Sequence, residues 1–167
     1  MDGIRISDIT MKQIAKSGDA ALSFKGKLEI SKLLDKLGVS VIELEGLSSA
    51  RSDALRVKSI ASAVKDSVLA VPVDLSVESV GETWDALKDA RYPRLQVTAP
   101  VSTVQMEYLS RKKPDDMLAC IETVVAACAE RTPDVEFIAE DATRSDPAFL
   151  RTAIETALAA GAATVTI

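Results

Sequence analysis

Histidine is absent from all 167 residues. That absence removes every Ser-His or Cys-His nucleophile pair, and every histidine-ligated metal site, that one copy of this chain could assemble. Aromatic residues make up only 4%, and 20 Lys and Arg are scattered among 25 Asp and Glu for a net charge of -5. Neither a base-stacking platform nor a basic surface following phosphates is available, so no nucleic-acid partner is expected. No apolar run reaches the roughly 18 residues of a membrane helix, and Met1-Asp2-Gly3 does not open a basic-then-apolar leader. A cytoplasmic protein with no membrane partner is the expectation. The seven glycines form neither G-x-G-x-x-G nor G-x-x-x-x-G-K-[ST], which removes the corresponding nucleotide-binding loops. The two cysteines, Cys120 and Cys128, fall on one predicted helix, separated by about 12 Å of axial rise, beyond disulfide reach. They read as reduced core residues.

What is present is an apolar chain, 47% hydrophobic, long enough for one well-cored domain. It alternates strand and helix. Ile4–Ile6 reads as a short strand, followed by a polar loop over Asp8–Gln13. Ser23 can cap a helix whose stripe is Ile30, Leu33, Leu34 and Leu37, with Gly38 as its stop. Val39–Leu44 is the second strand, and its polar end carries Glu43 and Glu45. Val57, Ile60, Ala61 and Val64 repeat the helical stripe, and Ser67–Val73 is nearly continuous apolar strand, the pattern of a central parallel strand covered on both faces. Val77, Val80, Trp84 and Leu87 mark the third helix, Arg94–Thr98 the fourth strand. Pro114 opens a fourth helix with Asp115 and Asp116 in its first turn and a core stripe of Met117, Ile121, Val124, Val125 and Cys128.

The most informative stretch runs from Val135 to Pro147. A β-type run, Val135–Ala139, passes directly into Glu140-Asp141-Ala142-Thr143-Arg144-Ser145, and Asp146-Pro147 then supplies an N-cap and a proline at the first helical position. This is strand, functional loop, helix. Loops at the carboxyl ends of parallel strands are where barrels and open sheets place ligands, so Glu140, Asp141 and Arg144 are site candidates. The fifth helix turns Leu150, Ala153, Ile154, Ala157 and Leu158 inward and stops at Gly161, and Ala163–Ile167 begins a sixth strand. Repeated βα units require a parallel sheet with right-handed crossovers. Length favours a doubly wound open sheet, because a whole (β/α)8 barrel usually needs about 250 residues.

Several stretches together carry a resemblance. Ile4-Arg5-Ile6-Ser7-Asp8 with Thr10, Lys27–Ile30, Leu37–Glu43, Met106-Glu107-Tyr108, Asp134–Phe137 and above all Glu140-Asp141-Ala142-Thr143-Arg144-Ser145-Asp146 resemble the 2-isopropylmalate synthase and homocitrate synthase family, with its 3-hydroxy-3-methylglutaryl-CoA lyase relatives. The resemblance spans essentially the whole chain. It implies an incomplete TIM-barrel domain of pyruvate carboxyltransferase type over residues 1–167, with the first six strands and five helices of the barrel.

The activity it implies is a Claisen-type condensation of acetyl-CoA with a 2-oxo acid, as in leucine biosynthesis, or aldol cleavage in the lyases. A divalent metal, an arginine and a base would share the work. Where the family has a Leu-Arg-Asp-Gly-Glu-Gln-like run, this chain has Met11-Lys12-Gln13-Ile14-Ala15-Lys16. Lys12 keeps the charge without the bidentate fork, and Gln13 offers a neutral amide oxygen in place of a carboxylate. Glu43 matches the glutamate after the second strand, Glu140 the carboxylate after the fifth, and Gln96 stands where a histidine is usual.

The resemblance therefore implies Lys12, Glu43 and Glu140 as catalytic candidates. Gln13, Gln96, Thr98, Asp141, Thr143 and Arg144 are the substrate-binding candidates. No metal-ligand set is expected. Lys12 is the natural partner for Glu43. Arg144 has a plainer alternative, fixing its loop through Asp141 or Asp146, and Gln96 and Thr98 have another, satisfying hydrogen bonds inside the barrel. A binding or regulatory relative, or an assembly partner, are the competing functional classes. The chain by itself is expected to be inactive, and to pair with a second copy or with a completing C-terminal segment.

Overall fold

A computed structural model describes residues 3–14, 23–48 and 51–167. It contains six strands, placed in the sheet in the order in which they occur along the chain. A doubly wound sheet reverses its strand order at a switch point, whereas a (β/α)8 barrel does not. The order β1-β2-β3-β4-β5-β6, with parallel pairing in every described register, is that of a partial barrel. The open doubly wound sheet that length favoured is set aside on this ground.

By its internal contacts the chain divides into two compact units, Met1–Pro72 with Glu82–Arg94, and Val73–Gly81 with Leu95–Ile167. In the first, β1 (Ser7–Asp8), β2 (Val41–Glu43) and β3 (Val68–Val73) pair in parallel, Val41 opposite Ser7 and Val68. Helix α1 (Thr10–Ile14) follows β1, and α2 (Phe24–Leu37) and α3 (Arg51–Ala63) make the crossovers. Ser23 caps α2 by accepting from the Gly26 N–H, and Gly38 ends it at φ 84°, a left-handed conformation that costs glycine little. The turn from α3 into β3 is closed from a distance. Asp35 accepts the N–H groups of Lys65, Asp66 and Ser67 at 2.8, 3.0 and 2.7 Å. Burial opposes its charge, but these three donors outweigh burial and hold its carboxyl below the ordinary value. Val57, Ile60, Ala61 and Val64 are buried as their spacing requires, and so are Ile42, Leu69 and Val71 on the strands.

In the second unit β4 (Pro93–Pro100, from Leu95 onward), β5 (Val135–Glu140) and β6 (Thr164–Thr166) pair in parallel, with Gln96 opposite Glu136 and Glu136 opposite Thr164. Helix α4 (Val77–Leu87) precedes β4 and belongs to this unit only as far as Gly81, its residues from Glu82 being counted with the first, and α5 (Thr103–Gln105) continues into a wide π turn over Met106–Ser110. Helices α6 (Pro114–Ala129) and α7 (Pro147–Ala159) cross over beside β5. All five residues of the α6 stripe are buried. Asp146 caps α7 by accepting from the N–H groups of Ala148 and Phe149, with Pro147 at the first helical position. Gly161 ends the following turn at φ +114°, and a Cβ there would lie 2.7 Å from the Ala129 Cβ, so both backbone and space demand glycine. Cys128 is buried, which pushes its thiol up to about 12, and both cysteines are free.

Several expectations need correction. The first strand is Ser7–Asp8, and Ile4 and Ile6 are 96% and 61% exposed. Part of its expected loop is helix α1, started by Asp8, whose side chain accepts both the N–H and the hydroxyl of Thr10. On α2 the inward face centres on Ser31, while Leu33 and Leu37 are exposed. Val77 and Leu158 are exposed as well, each lying at the margin of its helix's apolar stripe. The helical segment at Thr103–Ser110 was not anticipated, although Ser102-Thr103-Val104-Gln105 has capping-box spacing.

Candidate functional site

Side chains on a strand alternate, so Glu43 lies on the opposite face of β2 from the fully buried Ile42. Glu43 is itself only 9% exposed. A carboxylate withdrawn from water requires compensation, and the neighbouring chain supplies it. The Ser7 hydroxyl on β1 donates to Glu43 Oε1 at 2.7 Å, and Lys12 Nζ on α1 donates to Oε2 at 3.0 Å. Each carboxylate oxygen thus has a donor from a different element. Helix α1 can aim Lys12 because the Asp8 turn fixes its start and the buried Met11 anchors it, while Lys12 keeps about a quarter of its side-chain surface open (26%). Gln13, next along α1, is exposed.

The polar end of β2 is braced further along by a charged network. Lys27 on α2 and Arg56 on α3 both meet Glu45, at 2.6 and 2.8 Å, and Arg56 also meets Asp53 at 3.0 Å. The Ser48 N–H and hydroxyl both donate to Asp53. The Ser48 hydroxyl, then Arg56, hold the Asp53 carboxyl below its ordinary value against the opposing effect of burial. This network fixes the loop after β2 and so the position of Glu43.

In the second unit the end of β5 and the loop after it carry Glu140, Asp141, Thr143 and Arg144. Asp141 sits at φ 61°, in the left-handed region that aspartate tolerates better than most residues. Its carboxylate accepts Arg144 Nε at 2.8 and 2.9 Å, a terminal Arg144 nitrogen at 2.7 Å, and the hydroxyl of the buried Ser102 at 2.5 Å. Arg144 and Ser102 hold that carboxyl low, and Asp141 in turn raises Arg144. The loop is tied down again where Val101 donates its N–H to the Glu140 carbonyl and Ser145 donates its hydroxyl to the Val101 carbonyl. Arg144 therefore has the loop-fixing partner its plainer alternative named. Ser7 and Ser102, which sequence reasoning gave no role, both bond a candidate carboxylate.

Gln96 is fully buried and donates Nε2 to Glu136 Oε2 at 2.9 Å, while Thr166 donates its hydroxyl to Glu136 Oε1 at 2.6 Å. This is an internal hydrogen-bond network on one face of the strands. Thr98 is half-buried opposite Ile138, and Glu140 and Thr143 are exposed. No side-chain hydrogen bond joins Gln13, Thr98, Glu140 or Thr143 to another described residue. Among the described residues no three His, Cys, Asp or Glu side chains are grouped to hold a metal ion. A divalent cation would need anionic or imidazole donors at the strand end. Gln13 supplies a neutral amide, and Glu43 is already bound by an ammonium, so the described residues at this strand end do not fit such an ion.

The HMGL-like family matches residues 3–167. The chain is 36% identical over 166 residues to the 2-isopropylmalate synthase of Caulobacter sp. (strain K31), covering 99% of this chain and 32% of that protein. It is 34% identical over 164 residues to the 2-isopropylmalate synthase of Nitratidesulfovibrio vulgaris, covering 98% and 32%. The same enzyme of Shouchella clausii matches at 34% over 167 residues, covering 100% and 32%. The chain thus spans about a third of the length of these curated relatives. The carboxyl transferase domain of Rhizobium etli pyruvate carboxylase has 11% identity and a TM-score of 0.37, covering 99% of this chain and 40% of that one, a likeness too slight to carry weight. Among the described residues, no helix is long and apolar enough to cross a membrane.

Proposed function

From the premise that this chain belongs to the HMGL-like family, we propose that it is part of a cytoplasmic acyltransferase of the 2-isopropylmalate synthase type, acting on acetyl-CoA and a 2-oxo acid. In that reaction the thioester methyl gives up a proton to a base, the resulting carbanion bonds to the oxo carbon, and the oxo oxygen takes a proton to become a hydroxyl. Hydrolysis of the thioester then releases CoA. The observation that carries the reading is the Ser7–Glu43–Lys12 cluster at the end of β2. Lys12 supplies a cationic donor for the negative charge that develops on the oxo oxygen, and a preorganised donor of this kind is worth roughly 3 kcal/mol in a transition state. Glu43 fixes the ammonium in place, and Ser7 fixes Glu43. In the other unit Glu140 offers an exposed carboxylate at a strand end, and Asp141 and Arg144 shape the loop that follows it.

The test is release of free CoA from acetyl-CoA with a panel of 2-oxo acids, using the full-length protein that contains this chain. Release that depends on a 2-oxo acid is expected, with a fall of about 100-fold on Lys12→Met. No release with any 2-oxo acid overturns the reading. The neutral Gln13 and the occupied Glu43 favour a second reading, a relative that binds a 2-oxo acid without turning it over. It would show saturable 2-oxo acid binding and no CoA release.

A further inference from the structure

We infer that Lys12 is the built-in counter-ion of Glu43 and, with the neutral Gln13 beside it, keeps a divalent cation from being held at this strand end. The inference rests on the acyltransferase reading for its setting and on the geometry of one cluster for its content. Glu43 is nearly buried, and a buried carboxylate requires a positive partner close by. An external metal ion could be that partner, as could a side chain of the protein. Here the partner belongs to the chain: Lys12 Nζ lies 3.0 Å from Oε2, with the Ser7 hydroxyl on Oε1.

A divalent ion approaching the same carboxylate would have to displace the ammonium or stand beside it. Standing beside it places like charges a few ångströms apart in a partly desolvated site, where repulsion is screened far less than in water. Displacing it strands the ammonium, and the next residue, Gln13, offers the ion only a neutral amide oxygen. Two features of the chain thus act together: a cation already held, and a missing anion that would have recruited another. Lys12 keeps about a quarter of its side-chain surface exposed, and its ammonium has N–H groups beyond the one given to Glu43 for a small ligand carrying an oxo or carboxylate oxygen.

The inference is tested by titrating Mn2+ into the chain and following the free-ion signal by electron paramagnetic resonance, which reads metal binding independently of turnover. The wild-type chain is expected to leave the free signal unchanged, and so is Gln13→Asp, an exposed substitution that leaves the Lys12–Glu43 pair intact. Lys12→Met combined with Gln13→Asp is expected to bind the ion and to lose that binding again when Glu43→Gln is added. Circular dichroism of each variant establishes that it is folded. Wild-type binding that Glu43→Gln abolishes would overturn the inference while leaving the acyltransferase reading standing, as would binding by Gln13→Asp alone. A folded double variant that fails to bind would also overturn it, because the ammonium would then not be what keeps the ion out. Absence of CoA release from full-length protein bears on the acyltransferase reading and leaves the Mn2+ outcome as it is.

Discussion

Two ion pairs hold site candidates, one in each compact unit, and they differ in reach. Lys12 and Glu43 are separated by 31 residues and join a short helix to a strand end, with Glu43 showing only 12% of its side-chain surface. Arg144 and Asp141 are three residues apart in one turn, and Arg144 is 60% exposed. The first pair neutralises a charge that the fold has withdrawn from water, so removing one partner strands the other. The second organises a loop that its neighbours Ser102, Val101 and Ser145 already hold by hydrogen bonds of their own. A close, well-shaped ion pair therefore does not by itself mark a functional site. Sequence separation and burial distinguish the pair with something to lose.

The largest effect is expected where the buried charge is uncovered. Lys12→Met should lower the unfolding free energy by about 2 kcal/mol, less than a fully buried pair because Lys12 is partly open and Ser7 remains, and adding Glu43→Gln should recover part of that loss. Urea unfolding of the four-member mutant cycle measures it. Equal losses in the single and double variants would place the two pairs on the same footing. Ser102→Ala should cost about 1 kcal/mol, because the buried hydroxyl both donates to Asp141 and caps α5 by accepting from the Gln105 N–H.

An acid titration separates the two pairs from the carboxylate that closes the turn before β3. Asp35 has a folded value below its ordinary 3.8, so the stability it contributes is fully present above that value and is lost as the pH falls through the lower folded one. The stability difference between wild type and Asp35→Asn should therefore be largest near neutrality and shrink in strong acid, which thermal unfolding across pH would show. Arg144→Met should have the smallest global effect, with no resolvable change in the unfolding midpoint but faster proteolysis within the loop from Asp141 to Ser145.

The parts of this fold that were legible in the sequence are those set by local chemistry. Asp146-Pro147, Pro114 with its two aspartates, Ser23 and Gly38 all announce helix ends through local chemistry, by a capping side chain, a fixed φ, first-turn charge or a left-handed glycine, and each stands at a helix end in the structure. The Met117–Cys128 stripe was legible because an all-buried face leaves one period in the sequence. Leu33 and Leu37 misled for the opposite reason, since apolar character does not say which side of a helix the sheet will take, and Ser31 occupies the inward position. Lys12 and Glu43 could be paired in advance because a strand end needs a counter-ion. Ser7 on Glu43 and Ser102 on Asp141 could not, because a hydroxyl acquires its partner only when separated segments meet.

The most direct test is calorimetric titration of a 2-oxo acid panel into the full-length protein, with a chelator present throughout. We predict saturable binding of at least one 2-oxo acid that Lys12→Met and Glu43→Gln each abolish and Arg144→Met leaves within a few-fold of wild type. Binding that survives Lys12→Met, or that disappears only with Arg144→Met, would contradict the assignment of the long-range pair as the working site.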